Sequence, residues 1–196
     1  MQMNRIILFI GLILIKGCAP TSNDMPRNTS VNNNSVKPIN NPLVIEFNTD
    51  FDFKNIKQGH IKEGTDYVIS QADKIKNEII KLDDNKRTYQ NTLVPIDDIY
   101  NTIESVWSPG YLMGSVHTNE EIRNEGLESS KTIQNYLTEL SLDEDLYKAV
   151  LSYSKSNEAK SLKGLQKKFL DDVLLGYKRI GFMLPKEERE KVKTVL

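Results

Sequence analysis

From Asn41 onward the apolar residues recur at steps of three and four, the spacing of one face of an α-helix. A first helical stretch is predicted from about Phe53 to Leu82, with Ile56, His60, Tyr67, Val68, Ile75, Ile79 and Leu82 on one stripe. Gly64 interrupts it as a point of close packing or bending. After the polar break Asp83-Asp84-Asn85, a second helix is predicted from about Asn91 to Trp107. Pro95 sits in its first turn, and Ser108-Pro109-Gly110 ends it. A third opens with a capping box of Thr118 and Glu121 and turns Ile122, Leu127, Ile133, Tyr136, Leu137 and Leu140 inward. A fourth, short helix follows a second capping box, Ser141 to Glu144, and reaches about Tyr153. In the fifth, Leu162, Leu165, Phe169, Val173, Tyr177 and Ile180 form the stripe and Gly181 is the stop. A sixth begins at Pro185, with Glu187 and Glu188 facing the positive helix end, and runs to Leu196. Leu43-Val44-Ile45-Glu46-Phe47 is the one short extended candidate. The predicted class is all-α, and the short gaps favour an antiparallel helical bundle.

Composition agrees with one soluble domain behind a leader. Of 196 residues, 38% are hydrophobic and 27% charged, which suits neither a multi-span membrane protein nor a wholly disordered chain. There are 26 basic and 27 acidic residues; loss of Arg5 and Lys16 with a leader leaves 24 against 27, a net −3. No basic field for nucleic acid results. One cysteine excludes an internal disulfide framework.

The chain divides into 1–17, 18–42 and 43–196. Ile6 to Ile15 is an apolar run of ten residues after a positive start. A helix of that length reaches about 15 Å, half a bilayer core, so it reads as a signal segment and not a lasting span. It closes on Ile15-Lys16-Gly17-Cys18, which resembles the lipobox of bacterial lipoproteins, with Lys16 where a small residue is usual. That resemblance implies cleavage before Cys18, lipid attached to Cys18, export and a membrane anchor on the periplasmic or cell-surface side; the alternative is a plain secretory signal with an incidental cysteine. Residues 19–41 are rich in Asn, Ser, Thr and Pro and read as a flexible tether.

Candidate chemistry is sparse. His60 stands before Ile61 and His117 before Thr118, so His-Glu-x-x-His is absent, and two histidines with one cysteine do not make a zinc site. His60 reads as a packed or hydrogen-bonded histidine and His117 as exposed without a role. Asp97-Asp98 and Asp143-Glu144-Asp145 lie at helix starts, where carboxylates favour the dipole. Trp107, Tyr111, Tyr136 and Tyr177 read as core or half-buried anchors. No phosphate-cradling glycine loop is present. Catalytic and metal residues are therefore expected to be none in this chain.

Three stretches carry a family resemblance. Thr88-Tyr89-Gln90-Asn91-Thr92-Leu93, Leu142-Asp143-Glu144-Asp145-Leu146-Tyr147, and Leu174 through Leu184-Pro185 occur in an order that resembles the start of the thimet-oligopeptidase family of zinc peptidases, which includes oligopeptidase A and peptidyl-dipeptidase Dcp. Glu187 to Val195 is similar to that family's next helix, and the likeness covers about Phe47 to Leu196. It implies the N-terminal helical part of a two-domain metallopeptidase that cuts short peptides, forming part of the wall of its channel. Zinc, held by a downstream His-Glu-x-x-His and a later glutamate, is implied for the full-length enzyme and not for this chain. On this expectation the sequence is a truncated front portion, inactive alone. The competing expectation is a complete, non-catalytic, membrane-tethered helical lipoprotein that binds peptide or a protein partner, with a purely structural envelope lipoprotein third.

Overall fold

A computed structural model describes residues 40–45, 50–182 and 184. The leader, Cys18, nearly all of the tether and the sixth predicted helix lie outside the described residues. Six α-helices follow one another: α1 His60–Lys81, α2 Val94–Val116, α3 Glu120–Ser141, α4 Glu144–Ser154, α5 Asn157–Ser161 and α6 Gly164–Arg179. The all-α bundle expected from the periodicity is what these helices form, and the described residues contain no strand. The extended candidate is instead a turn: Leu43 is fully buried, and Asn41 below it donates to the His60 carbonyl at 2.8 Å.

Helices α1, α2 and α3 run up, down and up. Gly64 of α1 lies against Val106 of α2, whereas Glu125 of α3 reaches the start of α1 and Tyr136 reaches Asp73 further along it. Ile61, Val68, Ala72 and Ile79 of α1, Ile96, Ile99, Ile103 and Val106 of α2, and Ile122, Ile133 and Leu140 of α3 close the core between them. Full burial of each such side chain contributes about 1.5–3 kcal/mol. Helix α4 adds Leu146, Ala149, Val150 and Tyr153.

The boundaries depart from expectation in several places. The first stretch splits into a 3₁₀ turn, Phe53–Asn55, and α1, because Gly59 takes φ +93° between them. Helix α2 does not end at Ser108-Pro109-Gly110 but continues through Pro109 to Val116. An internal proline costs about 3 kcal/mol; here Pro109, Gly110, Met113 and Gly114 are all buried, and their packing outweighs that cost. The cap of α3 is Asn119 and not Thr118: its side chain accepts from Glu121 N at 2.7 Å and Ile122 N at 3.4 Å. Asp143, not Ser141, caps α4, accepting from Asp145 N and Leu146 N at 3.0 and 2.9 Å. In both cases the shorter polar side chain one or two residues later reaches the free amides.

Two side chains assigned inward face solvent, Leu127 at 51% and Leu165 at 82% exposure. Leu165 lies out because α6 starts late, at Gly164 with φ +54°, after the short α5 takes residues 157–161. The stop at Gly181 is as expected. With φ +93°, it lets Phe182 N donate to Tyr177 O at 3.0 Å while its own N–H donates to Lys178 O at 3.1 Å, the paired bonds of a Schellman ending.

Candidate functional site

The predicted candidates do not converge. His60 is the first residue of α1 and half-buried; its Nδ1 accepts from Lys57 N at 3.2 Å. It borders an open, polar cleft of about 350 Å³ with Asn40, Pro42, Asp52, Asn55 and Lys57. His117 stands in the turn between α2 and α3, its Nδ1 accepting from Asn119 N at 3.0 Å. Asp97 accepts from Asn101, Asp143 caps α4, and Asp145 pairs with Lys148 at 2.8 Å. No group of three or more His, Cys, Asp or Glu side chains forms a metal-binding set among the described residues.

The three stretches that carry the family resemblance are joints. At the first, Thr88 and Asn91 form a reciprocal capping box: Asn91 N donates to Thr88 Oγ1 at 3.2 Å and Thr88 N to Asn91 Oδ1 at 2.7 Å. A π-helical turn, Tyr89–Leu93, then leads into α2. Just before it, buried Arg87 donates to the Ile79 and Leu82 carbonyls at 2.8 Å each and, at 3.5 Å, to that of Ile80. It thereby satisfies the open end of α1. Arg87 and the Ser152 hydroxyl hold the Asp84 carboxyl below the usual range. At the second joint Asp143 caps α4 and also meets Lys76 of α1 at 3.5 Å. The third is the Gly181 ending of α6.

All three joints lean on α4. Its Tyr147 packs against Tyr177 and Phe182 of the third joint, ring centroids 5.1 and 4.5 Å away. Ser152 faces Asp84, beside the first joint. Tyr153 is fully buried near Tyr89 and Glu158, and Glu158 accepts from Tyr89 N at 3.2 Å. Burial, with help from the Glu158 charge, pushes the Tyr153 phenol up to about 12.

A polar and aromatic cluster lies where α1, α3, α4 and α6 meet. Tyr136 donates to Asp73 at 3.2 Å, and Lys76 bridges Asp73 at 3.2 Å to Asp143. Burial first, and then Asp73, raises the Tyr136 phenol well above its ordinary value; burial raises Tyr177 and Tyr100. Tyr136, Tyr177 and half-buried Trp107 are thus anchors as expected. Tyr111 is not: it is 56% exposed on the outer side of α2.

Sequence reasoning missed two residues with long-range roles. One is Arg87, whose only signal was a cation standing just ahead of a capping box. The other is Glu125, whose carboxylate accepts from Gly59 N and Lys62 N, each at 2.7 Å. It closes the N-terminus of α1 from across the bundle, and nothing local in the sequence marks it.

No family model matches this chain. Among curated proteins it is similar to oligopeptidases. It is 29% identical over 138 residues to the thimet-like oligopeptidase of Dictyostelium discoideum, covering 69% of this chain and 20% of that protein. It is 23% identical over 144 residues to oligopeptidase A of Haemophilus influenzae, covering 74% and 21%, and 26% identical over 104 residues to that of Escherichia coli, covering 53% and 15%. These distant relatives support an oligopeptidase kinship over part of the chain. The matched region spans about a fifth of the length of the curated relatives.

Proposed function

We propose that this chain is the helical, channel-wall portion of an exported, lipid-anchored zinc oligopeptidase acting on short peptides. The observation that carries the reading is the similarity to three oligopeptidases over 53–74% of this chain but only 15–21% of theirs. The residues present do not fit a zinc site: the sequence holds two histidines, each engaged with a backbone amide in a separate turn. The reading therefore assigns the metal and its base to polypeptide outside this sequence and gives these helices a scaffolding task. Caps at both ends of α1 and the shared support on α4 suit that task, since a wall beside a reacting centre must hold its shape. Lipid on Cys18 would hold the protein at a membrane surface.

The test replaces the matched 144-residue stretch of H. influenzae oligopeptidase A with the corresponding stretch of this chain. The expected result is a folded chimera with chelator-sensitive cleavage of short peptides. A folded, zinc-loaded chimera without turnover overturns the reading.

A further inference from the structure

We infer that the outer face of the C-terminal half of α2 is a docking surface for further oligopeptidase polypeptide. The inference rests on the reading above and names where the wall meets the larger body. Ser108, Tyr111, Leu112, Ser115 and Val116 follow one another at helical steps, and all five are exposed. Tyr111, Leu112 and Val116 are 56, 45 and 62% accessible. The opposite side of the same turns buries Val106, Pro109, Gly110, Met113 and Gly114. This half of α2 is therefore apolar on both sides, a pattern that belongs to a helix covered all round.

Charge points the same way. From Ser105 to Val116 there is no Asp, Glu, Lys or Arg, and absence of charge marks the centre of a protein interface rather than a solvated surface. Exposed Leu127 of α3 extends the patch. It follows Gly126, which packs directly on Gly110 and Gly114. Because α2 and α3 run antiparallel, Tyr111 and Leu127, each one residue beyond its glycine, project to the same side of the pair.

The occupant follows from proportion. The matched segment is about a fifth of each of the first two relatives, so in those proteins such a region adjoins a body several times its size. A face of this kind, uncharged and carrying small serines between larger side chains, suits the close approach of a packed protein element. No helix of the described residues is long and apolar enough to cross a membrane.

The experiment compares the same substitutions in two settings. Tyr111→Glu, Leu112→Glu and Val116→Glu are placed in the full chain alone and in the chimera described above, with Leu165→Glu as an exposed apolar control on α6. In the chain alone all four leave thermal stability nearly unchanged. In the chimera the three α2 variants lower the midpoint by several degrees and weaken peptidase activity, while Leu165→Glu does neither. An active wild-type chimera whose α2 variants behave like the control overturns the docking inference and leaves the functional reading standing. An inactive, folded wild-type chimera overturns both. A wild-type chain that sediments as a dimer, dissociated by Val116→Glu, assigns the face to a second copy; binding to phospholipid vesicles abolished by Val116→Glu assigns it to lipid. Either result overturns the inference.

Discussion

Gly126 of α3 lies so close to Gly110 of α2 that a Cβ at position 126 would stand 2.5 Å from the Gly110 carbonyl oxygen. The Gly114 amide nitrogen would be 2.6 Å from the same carbon. Both obstacles are backbone and cannot rotate away. Gly126→Ala is therefore expected to push the two helices apart and to cost about 3 kcal/mol, the upper end for overpacking. Urea unfolding should show a lower midpoint. Gly176→Ala meets nothing within 4 Å and should be neutral or slightly stabilising, since alanine favours a helix interior.

Arg87 holds the end of α1 through the Ile79, Ile80 and Leu82 carbonyls. Arg87→Ala leaves these acceptors without their donor and should lower stability by about 2–3 kcal/mol. Arg87→Lys should recover only part, because one ammonium does not reproduce the guanidinium fork. Amide exchange should speed up in the last turn of α1 first.

Glu125 grips the first turn of α1 from outside. Removing its carboxylate with Glu125→Ala should cost about 1 kcal/mol, the ordinary worth of an N-cap. Hydrogen exchange at the Gly59 and Lys62 amides should rise while the α2 amides stay protected. Unchanged exchange at those two amides would show that the grip is not held in solution.

The buried phenols set the alkaline limit. Burial raises Tyr100, Tyr136, Tyr153 and Tyr177, with Tyr153 at about 12 in the folded chain against about 10 when unfolded. A raised folded value means that the stabilising contribution is intact below about pH 10 and is lost as pH rises through the folded value. Phenolate absorbance should therefore appear in a late, cooperative step that coincides with loss of helix. Tyr153→Phe should soften that step at little cost, since the buried hydroxyl has no hydrogen-bond partner.

On the proposed reading, the chain incubated with zinc and short peptides should release no product above the protein-free rate. Chelator-sensitive turnover by the pure chain would require a reactive centre within this sequence.

The sequence carried the helical class because its apolar spacing is regular over most of the described residues. Gly181 was legible for a related reason: glycine one step past a helix end has few other uses. The cap positions were read one or two residues early at Asn119 and Asp143, because two polar residues in succession compete and only the folded turn decides between them. Pro109 was read as a stop because local sterics favour one; the tertiary contacts of Gly110, Met113 and Gly114 override it. Glu125 and Arg87 were invisible for a third reason. Their partners are backbone groups, whose positions no side-chain pattern encodes. The outward face of α2 was legible in principle as a charge-free run, but periodicity treats an apolar residue as inward until the structure shows which side has a neighbour.

Helix α4 spans only eleven residues, yet the Arg87–Thr88 corner, the Asp143 corner and the Gly181 ending all rest on it. A keystone of this kind makes distant parts share one fate. Loosening Glu144–Ser154 would slacken three corners at once, whereas damage at any single corner leaves the other two seated.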